Sequence, residues 1–375
     1  MKVLLLSVLL GISAASAQLS KEEASAFVSG QYKKLADGRE LQMKDVEDGF
    51  EYFEIQAADK TMRCVGKLYG EAPEGQRSLY ISMHGGGNTS PGNNDGQWQN
   101  QIGLYKPAEG YYVAPRAPTN TWNLWHESHI DALFSKLIED FVAKKGVNPN
   151  KVYLLGYSAG GDGVYQLAPR LADRLGAASM MAGHPNDASP DGLLNLPFRI
   201  YMGGKDAAYD RNKVAAQWGE KLEALQKVRG GYDHKVTIYP EDGHWMKLKD
   251  AEAVPWMATK TREPWPRKVV WGESNNRSER FYWLGGVKKG VVEAEVYGQT
   301  ILLKGVAGQP VVLWLNDALV NLDEPVKIVI DGKVVANEKI ERTKDAIEAS
   351  LAQRLDPAMV ATAKWQAPAA EEKAE

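Results

Sequence analysis

The chain has little of several features that would narrow its class at once. Only one of its 375 residues, Cys64, is a cysteine, so no disulfide can form within the chain. The formal net charge is −3, without the basic excess that binds nucleic acid. No apolar run reaches the length of a transmembrane helix. With 44% hydrophobic and 25% charged residues, the composition predicts a globular protein held together by its core.

Two catalytic motifs and a metal motif are also missing. Neither G-x-x-x-x-G-K-[ST] nor S-x-x-K occurs, which argues against a P-loop and against penicillin-binding chemistry. His126 and His129 form H-E-x-H, one residue short of the zinc-protease spacing, and a helix start with aromatic packing explains them better. The sequence therefore predicts no metal and no cofactor.

The first residues have the pattern of a secretory leader. Lys2 precedes an apolar run that ends in Ala15-Ser16-Ala17, which is the small-x-small pattern before a cleavage site. We expect a signal peptide over residues 1–17 and a mature chain that starts near Gln18. With a single cysteine, a secreted or periplasmic bacterial protein fits better than a disulfide-rich eukaryotic one. No membrane insertion is expected after cleavage, and the oligomeric state stays open.

Short apolar runs alternate with longer amphipathic segments in the first two thirds of the chain. A surface helix is predicted over 21–37, strands near 51–56 and 62–69, and helices over 129–145 and 209–228. Further strands are predicted over 78–83, 111–114, 152–155, 178–181, 198–202 and 236–239. Such alternation indicates an α/β fold with a mostly parallel, doubly wound sheet, which we assign to residues 18–272.

The pattern changes after a boundary at 263–276. Short alternating segments and the hairpin signal Asp331-Gly332 predict a small β-rich module over 277–365, ending in a helix from Thr343 to about Leu355. The last ten residues, 366–375, have the composition of a disordered tail.

The stretch VYLLGYSAGGDG (152–163) contains a candidate nucleophile. A bare G-x-S-x-G is weak evidence, but here it follows a predicted strand and precedes helical spacing. A tight strand-to-helix turn needs small residues two positions before and two after its centre, and Gly156 and Gly160 occupy them. The turn would raise the Ser158 hydroxyl above the sheet, within reach of a base.

Backbone N–H groups for an oxyanion can be assigned in the same way. The N–H of Ala159, at the start of the helix, is one donor. The loop Met83-His84-Gly85-Gly86-Gly87 resembles the H-G-G-G loop of lipases, so Gly85 and Gly86 are the other candidates.

Chain order selects the base and the acid among the remaining residues. His84, His126 and His129 precede the serine, His184 follows too early, and His234 lies before its strand. His244 follows a late strand and is the predicted base. Asp206 follows the preceding strand and is the predicted acid, with Asp210, taken to lie inside the next helix, as second choice, and Asp187 and Asp191 third. Asp162 is assigned a structural role at the helix start.

The substrate pocket is less defined. We expect His84, Tyr157, His184 and Trp245 to line it, although His184 is equally well explained by a structural role. Trp98, Trp122, Trp125 and Trp245 are each able to stack on a sugar or aryl ring or to pack in the core.

With HGGG, GYSAGG, GGKD and GHW in this order, residues 50–260 resemble bacterial exported α/β hydrolases of the polyhydroxybutyrate-depolymerase and feruloyl-esterase-like group. The resemblance implies an α/β-hydrolase fold and a serine carboxylic ester hydrolase that acts through an acyl-enzyme. It implies Ser158, Asp206 and His244 as the triad, and an acylated carbohydrate, feruloyl-type or polyester-like substrate. Members often carry disulfides, which this chain cannot form internally.

Two alternatives stay open. A peptidase of the prolyl-oligopeptidase type shares the domain and the elbow, but only about 30 mature residues precede the first predicted strand, where those peptidases carry a propeller. A non-catalytic carbohydrate-binding protein of the hydrolase fold would be expected to have lost a triad residue, and none is missing.

Overall fold

A nine-stranded sheet forms the larger part of the molecule. The computed structural model describes residues 18–275 and 278–367, so the predicted leader at 1–17 lies outside the described residues. The strands of this sheet are β1 Gln42–Glu47, β2 Phe50–Ala57, β3 Lys60–Tyr69, β4 Arg77–Met83, β5 Gly110–Arg116, β6 Val147–Tyr157, β7 Ala177–Met181, β8 Phe198–Gly203 and β9 His234–Tyr239. Each strand predicted between 51 and 239 is confirmed, whereas the exposed edge strand β1 was not predicted.

The strand order is β1-β2-β3-β5-β4-β6-β7-β8-β9. The first four strands in this order pair antiparallel, and every pair from β5 to β9 is parallel. Strands β5 and β7 are buried along their whole length, as expected for a parallel sheet covered on both faces. The carboxyl ends of β4, β6, β8 and β9 therefore meet at one edge, where ligands of such sheets bind.

Helices cover both faces of the sheet and connect its strands. They are α1 Lys21–Asp37, α2 Pro91–Gln101, α3 Ser128–Lys144, α4 Ala159–Leu171, α5 Arg211–Arg229 and the short α6 Ala253–Met257. The predicted surface helix agrees with α1, which begins with a capping box formed by Ser20 and Glu23. Within residues 18–275 and 278–367, no helix has both the length and the apolar character needed to cross a membrane.

The C-terminal module contains two further sheets and one helix. One sheet has the order β10-β13-β14-β16-β17 and the other β11-β12-β15-β18. Their elements are β10 Lys268–Trp271, β11 Arg280–Phe281, β12 Leu284–Gly285, β13 Val292–Tyr297, β14 Thr300–Lys304, β15 Val312–Leu315, β16 Val326–Ile330, β17 Lys333–Glu338, α7 Lys344–Gln353 and β18 Ala363–Gln366. The predicted hairpin is confirmed, since Asp331 and Gly332 connect β16 to β17 with positive φ at both residues.

The module differs from its prediction at both ends. Strand β10 lies before residue 272 but pairs with β13, so it belongs to the module's sheet rather than to the larger one. The module ends in strand β18 after the helix, and Gln366, predicted to begin a disordered tail, pairs with Val312. The rest of the predicted tail, from residue 368, lies outside the described residues.

The two regions share one hydrophobic core. A single cluster of buried side chains includes Ile81 and Leu154 of the larger sheet together with Trp271 and Leu313 of the module. Helix α1 packs against both α3 and α7, so the N-terminal helix contacts the module as well as the larger region. The module therefore packs on the larger region and is not a separate body on a linker.

Candidate active site

The predicted turn around Ser158 is a strained connection between β6 and α4. Ser158 has φ 57° and ψ −120°, a conformation that L residues rarely adopt. A side chain at Gly156 would place its Cβ 2.3 Å from the carbonyl oxygen of Gly160, and one at Gly160 would lie 2.2 Å from that of Met83. Only glycine allows this backbone approach, which holds the serine at the carboxyl edge of the sheet.

Ser158, His244 and Asp206 form one hydrogen-bonded line. Nε2 of His244 lies 2.9 Å from Oγ of Ser158, and Nδ1 of His244 lies 2.7 Å from Oδ2 of Asp206. The Asp206 side chain is buried, while the imidazole is partly open to solvent. With Asp206 accepting from Nδ1–H, the other ring nitrogen is free to accept the serine proton.

Two neighbouring strands place Asp206 and His244 side by side. Asp206 follows β8 and His244 follows β9, and these strands pair in parallel. The two loops are joined by a hydrogen bond from the N–H of Lys205 to the carbonyl of Asp242, 2.9 Å long. This pairing at the sheet edge explains how residues 38 positions apart come into contact.

The other acids proposed from sequence lie elsewhere. Asp210 was expected inside the next helix, but it is the residue before α5, is exposed, and pairs with Lys213 at 2.9 Å. Asp187 accepts a hydrogen bond from the Gln166 amide. Asp191 forms an ion pair with Arg229.

Three of the histidines are held away from the serine. His126 packs edge to face on Trp122, and burial lowers its pKa to about 4. His129 lies 3.4 Å from the Glu127 carboxylate, and His234 contacts the Tyr232 carbonyl through Nδ1. Within residues 18–275 and 278–367, no group of three or more histidine, cysteine, aspartate or glutamate side chains is arranged to hold a metal ion.

The glycine loop after β4 is held by buried polar groups, and here one prediction is wrong. His84 is completely buried, so it cannot line the substrate pocket as expected. Its Nε2 accepts from the N–H of Ala117 at 3.2 Å, so its Nδ1–H donates to the Gly85 carbonyl at 2.6 Å. Burial lowers the pKa of His84 to about 4, which keeps the ring neutral and this tautomer in place.

The same loop brings glycines against the serine. A Cβ at Gly85 would lie 3.1 Å from Cβ of Ser158, and Gly86 has φ 102°. The N–H of Gly87 is taken by the side chain of Asn94 in α2, at 2.9 Å. Gly85 and Gly86 therefore lie where their backbone can face a group bound to the serine, and Ala159 begins α4 on the other side of Ser158.

Tyr157 supports the histidine loop from below. Its hydroxyl donates to the His244 carbonyl at 2.5 Å and accepts from the N–H of Met246 at 3.0 Å. Its ring also packs against those of His244 and Trp245. Tyr157 lines the adjacent cavity as predicted, but its polar group is committed to the loop that carries the base.

A cavity of about 650 Å³ opens on one side of Ser158. Among the described residues, the titratable side chains in its lining are those of His244 and Tyr157. The lining also contains the amides of Gln97 and Asn100 and the apolar side chains of Leu104 and Trp245. Trp245, predicted to line the pocket, is half exposed at its rim. The cavity thus combines amide hydrogen-bonding groups with apolar surface.

A second cavity of about 330 Å³ meets the first at Ser158 and Gly86. Its lining includes Ala159, Asp162 and His184. His184 therefore lies in a cavity beside the serine, which agrees with the pocket-lining role rather than the purely structural one. The Asp162 carboxylate accepts from the N–H of His184 at 2.6 Å, which fits the structural role assigned to it. The two cavities share Gly86 and Ser158 and are otherwise lined by different residues, so they offer separate spaces beside the serine.

Several lining residues were not predicted. In the second cavity Arg211 lies under the exposed ring of Tyr209, and its Nη1 is 3.8 Å from Oδ1 of Asp206. In the first cavity, Gln97 and Asn100 come from α2, which follows the glycine loop. The only sequence signal for Gln97 and Asn100 is that their helix directly follows the glycine loop, because single amide residues form no periodic pattern.

Residues 111–271 match the model of the dienelactone hydrolase family. The match covers less than half of the chain but includes Ser158, Asp206 and His244. A search of curated proteins found no relative that matches this chain. The family has the α/β-hydrolase fold, and the nine-stranded sheet has it too, as predicted.

Solved structures resemble the chain at low identity. A thermostable esterase is 17% identical with a TM-score of 0.44, and the match covers 57% of this chain and 64% of that one, under two thirds of its length. A ferulic acid esterase is 15% identical with a TM-score of 0.41, covering 58% and 99%. An S-formylglutathione hydrolase from Agrobacterium tumefaciens is 13% identical with a TM-score of 0.43, covering 59% and 99%. These likenesses carry no argument about substrate, and membership of the polyhydroxybutyrate-depolymerase group stays a prediction.

Proposed function

We propose that this protein is a serine carboxylic ester hydrolase. The observation that carries the proposal is the line from Ser158 through His244 to Asp206 at 2.9 and 2.7 Å, with the serine at the junction of two open cavities. A strained serine, a base in hydrogen-bond contact and a buried acid that orients the base are the three parts needed for nucleophilic acyl transfer.

The chemistry follows from these positions. His244 takes the proton of Ser158 as Oγ attacks the ester carbonyl, and buried Asp206 stabilises the resulting imidazolium. The oxyanion accepts hydrogen bonds from N–H groups of the Gly85-Gly86 loop and of Ala159. The imidazolium then protonates the leaving alcohol, and a water activated by His244 releases the acid from the acyl-enzyme.

The larger cavity favours an uncharged, hydroxyl-bearing substrate group. Its lining includes three side-chain amides, those of Gln97, Asn100 and Gln101, and a half-exposed tryptophan but no carboxylate, lysine or arginine, so a sugar or polyester chain fits better than an ionic group. The predicted leader would place the enzyme outside the cytoplasm, where acylated carbohydrates, feruloyl esters and polyesters are substrates. The proposed class is an extracellular ester of one of these kinds.

An active-site fluorophosphonate tests the nucleophile. It should label the purified protein, and Ser158→Ala should abolish labelling without changing the Tm. Labelling that survives the substitution would remove Ser158 from its proposed role.

A substrate panel tests the reaction class. Aryl acetates, feruloyl sugars and hydroxybutyrate oligomers should be hydrolysed in a Ser158-dependent way. Cleavage of peptide anilides alone would favour the peptidase, and inertness toward the whole panel together with a lack of labelling would favour a binding protein.

A further inference from the structure

A second polar cavity lies between the larger region and the C-terminal module. It has a volume of about 280 Å³ and shares no lining residue with the two cavities beside Ser158. Its walls come from the first half of α3, the end of α4 with the turn after it, the start of β11 and the end of α7. Four segments far apart in sequence therefore meet around one space.

Four arginines line this cavity, each at most 8% exposed: Arg170, Arg174, Arg280 and Arg354. Three of them have a carboxylate partner. Arg170 pairs with Asp131 at 2.6 Å, Arg174 with Glu139 at 3.2 Å and Arg354 with Asp173 at 2.5 Å. Glu139 is shared, because it also pairs with Arg39.

Arg280 has no carboxylate within ion-pair distance in the described part of the chain. Its N–H groups donate to the carbonyl of Tyr282, the hydroxyl of Ser350 and the carbonyl of Met359, all of them neutral. Burial, together with the nearby charge of Arg354, lowers the pKa of Arg280 to about 9. A buried charge without a counter-charge destabilises a fold, so this position would gain from an anion.

Other donors face the same space. Ser128, the first residue of α3, lines the cavity, and this 17-residue helix has no side-chain cap at its N-terminus. The unsatisfied N–H groups of a first helical turn favour negative charge. One guanidinium nitrogen of Arg170 is buried without a partner, and the hydroxyl of Ser135 and the amide of Gln353 complete the polar lining.

We propose that this cavity binds a small oxyanion of phosphate or sulfate size. Of the four guanidinium groups, that of Arg280 is the one without a carboxylate partner among the described residues, so it is the charge that an anion would neutralise. A space of about 280 Å³ suits an inorganic oxyanion rather than an organic ligand, which usually needs about 300–1,000 Å³. The bound anion neutralises Arg280 and joins the module to α3 and α4.

Thermal unfolding of the whole chain tests the site with inorganic phosphate as the probe. At millimolar concentration, phosphate should raise the Tm above that in sodium chloride of equal ionic strength. The rise should be about 2 °C at ten times the Kd. Calorimetric titration should give one phosphate per chain. Equal Tm values in the two salts, or no saturable heat, would overturn the proposal.

A variant that places a carboxylate inside the cavity gives a sharper test than the salt comparison. Ser135→Asp places a negative charge in the cavity, and it should raise the Tm in chloride and abolish the phosphate-dependent rise. Ser25→Asp, on the exposed face of α1, is the matched control and should keep the full rise. A phosphate-dependent rise that is the same in both variants would place the bound anion elsewhere and refute the site.

Arg280→Met is the second variant, in case the aspartate disturbs folding. It should lose the calorimetric phosphate signal while keeping esterase activity at the wild-type level. Unchanged phosphate affinity in Arg280→Met would likewise contradict the proposal. Because Ser158→Ala should bind phosphate normally, failure of this proposal and failure of the esterase proposal are distinguishable.

Discussion

The two regions of this molecule bury their strands in different ways. Strands β5 and β7 of the larger sheet are buried throughout, whereas β13 and β14 of the module alternate between buried and half-exposed residues. The difference arises because helices cover both faces of the parallel sheet, whereas one face of the module's strands is exposed to solvent.

The residues proposed for catalysis all lie in the larger region. No residue of the module lines either cavity beside Ser158. At the sheet edge that holds Ser158, the chain segments approach each other closely through the backbone of Gly156 and Gly160. The two regions are instead joined by buried ion pairs, such as that of Arg262 with Asp356 at 2.7 Å. Changes at this edge of the larger region should therefore alter catalysis, and changes at the junction of the two regions should alter stability.

The largest effect is expected at the hydrogen-bonded line itself. His244→Ala and Asp206→Asn should each lower kcat by about 10⁴-fold, because the base or the group that orients it is lost. Steady-state kinetics on an aryl acetate measures this, with circular dichroism to show that the variants fold. Asp210→Asn is the control and should stay within about two-fold of wild type. If Asp210→Asn is the damaging change, the acid is misassigned.

A junction variant should show the opposite behaviour. Burial raises the pKa of Asp356, but the guanidinium groups of Arg262 and Arg354 outweigh this and lower it, so the carboxylate is held charged. Arg262→Met leaves that charge without its 2.7 Å partner and should cost about 3–5 kcal/mol of unfolding free energy. Denaturant unfolding measures this loss, and kcat/KM of the folded protein should be unchanged.

The matched control for Arg262→Met is Lys260→Met. Lys260 pairs with the largely exposed Asp233 at 2.8 Å, so its loss should cost less than about 1 kcal/mol. Equal costs for the two variants would mean that the junction does not depend on its buried pair.

The smallest effect is expected at Tyr157. Tyr157→Phe removes the hydroxyl that holds the His244 carbonyl and the Met246 N–H, and it should lower kcat about 10-fold with little change in KM. The pH profile of kcat should also shift, because the position of the base changes. Tyr297→Phe, exposed in the module, should have no effect. A raised KM at unchanged kcat would instead make Tyr157 a substrate contact.

Sequence reasoning selected residues that the structure brings into contact where the signal is local or follows chain order. Gly156 and Gly160 flank Ser158 in one short segment, and a strand, a tight turn and a helix can be recognised from that segment alone. Asp206 and His244 each follow a strand, and carboxyl ends of parallel strands gather at one edge. His84 shows where this reasoning ends: its place beside two glycines indicated a pocket residue, but Trp125 and Ala117, which bury it, come from later segments.

The sequence by itself determined the α/β alternation, the strained serine turn, the order of serine, aspartate and histidine, and the Asp331-Gly332 hairpin. The turn, the hairpin and each strand or helix depend on the spacing of residues within about a dozen positions, and the order of the three residues follows the order of the strands that they end. Only the tertiary structure decided that β10 joins the module, that Tyr157 supports the histidine loop, and that four arginines from α4, the turn after it, β11 and the end of α7 surround one cavity. Contacts between elements that are distant in the sequence leave no periodic pattern in the chain, because they are fixed by how whole elements pack.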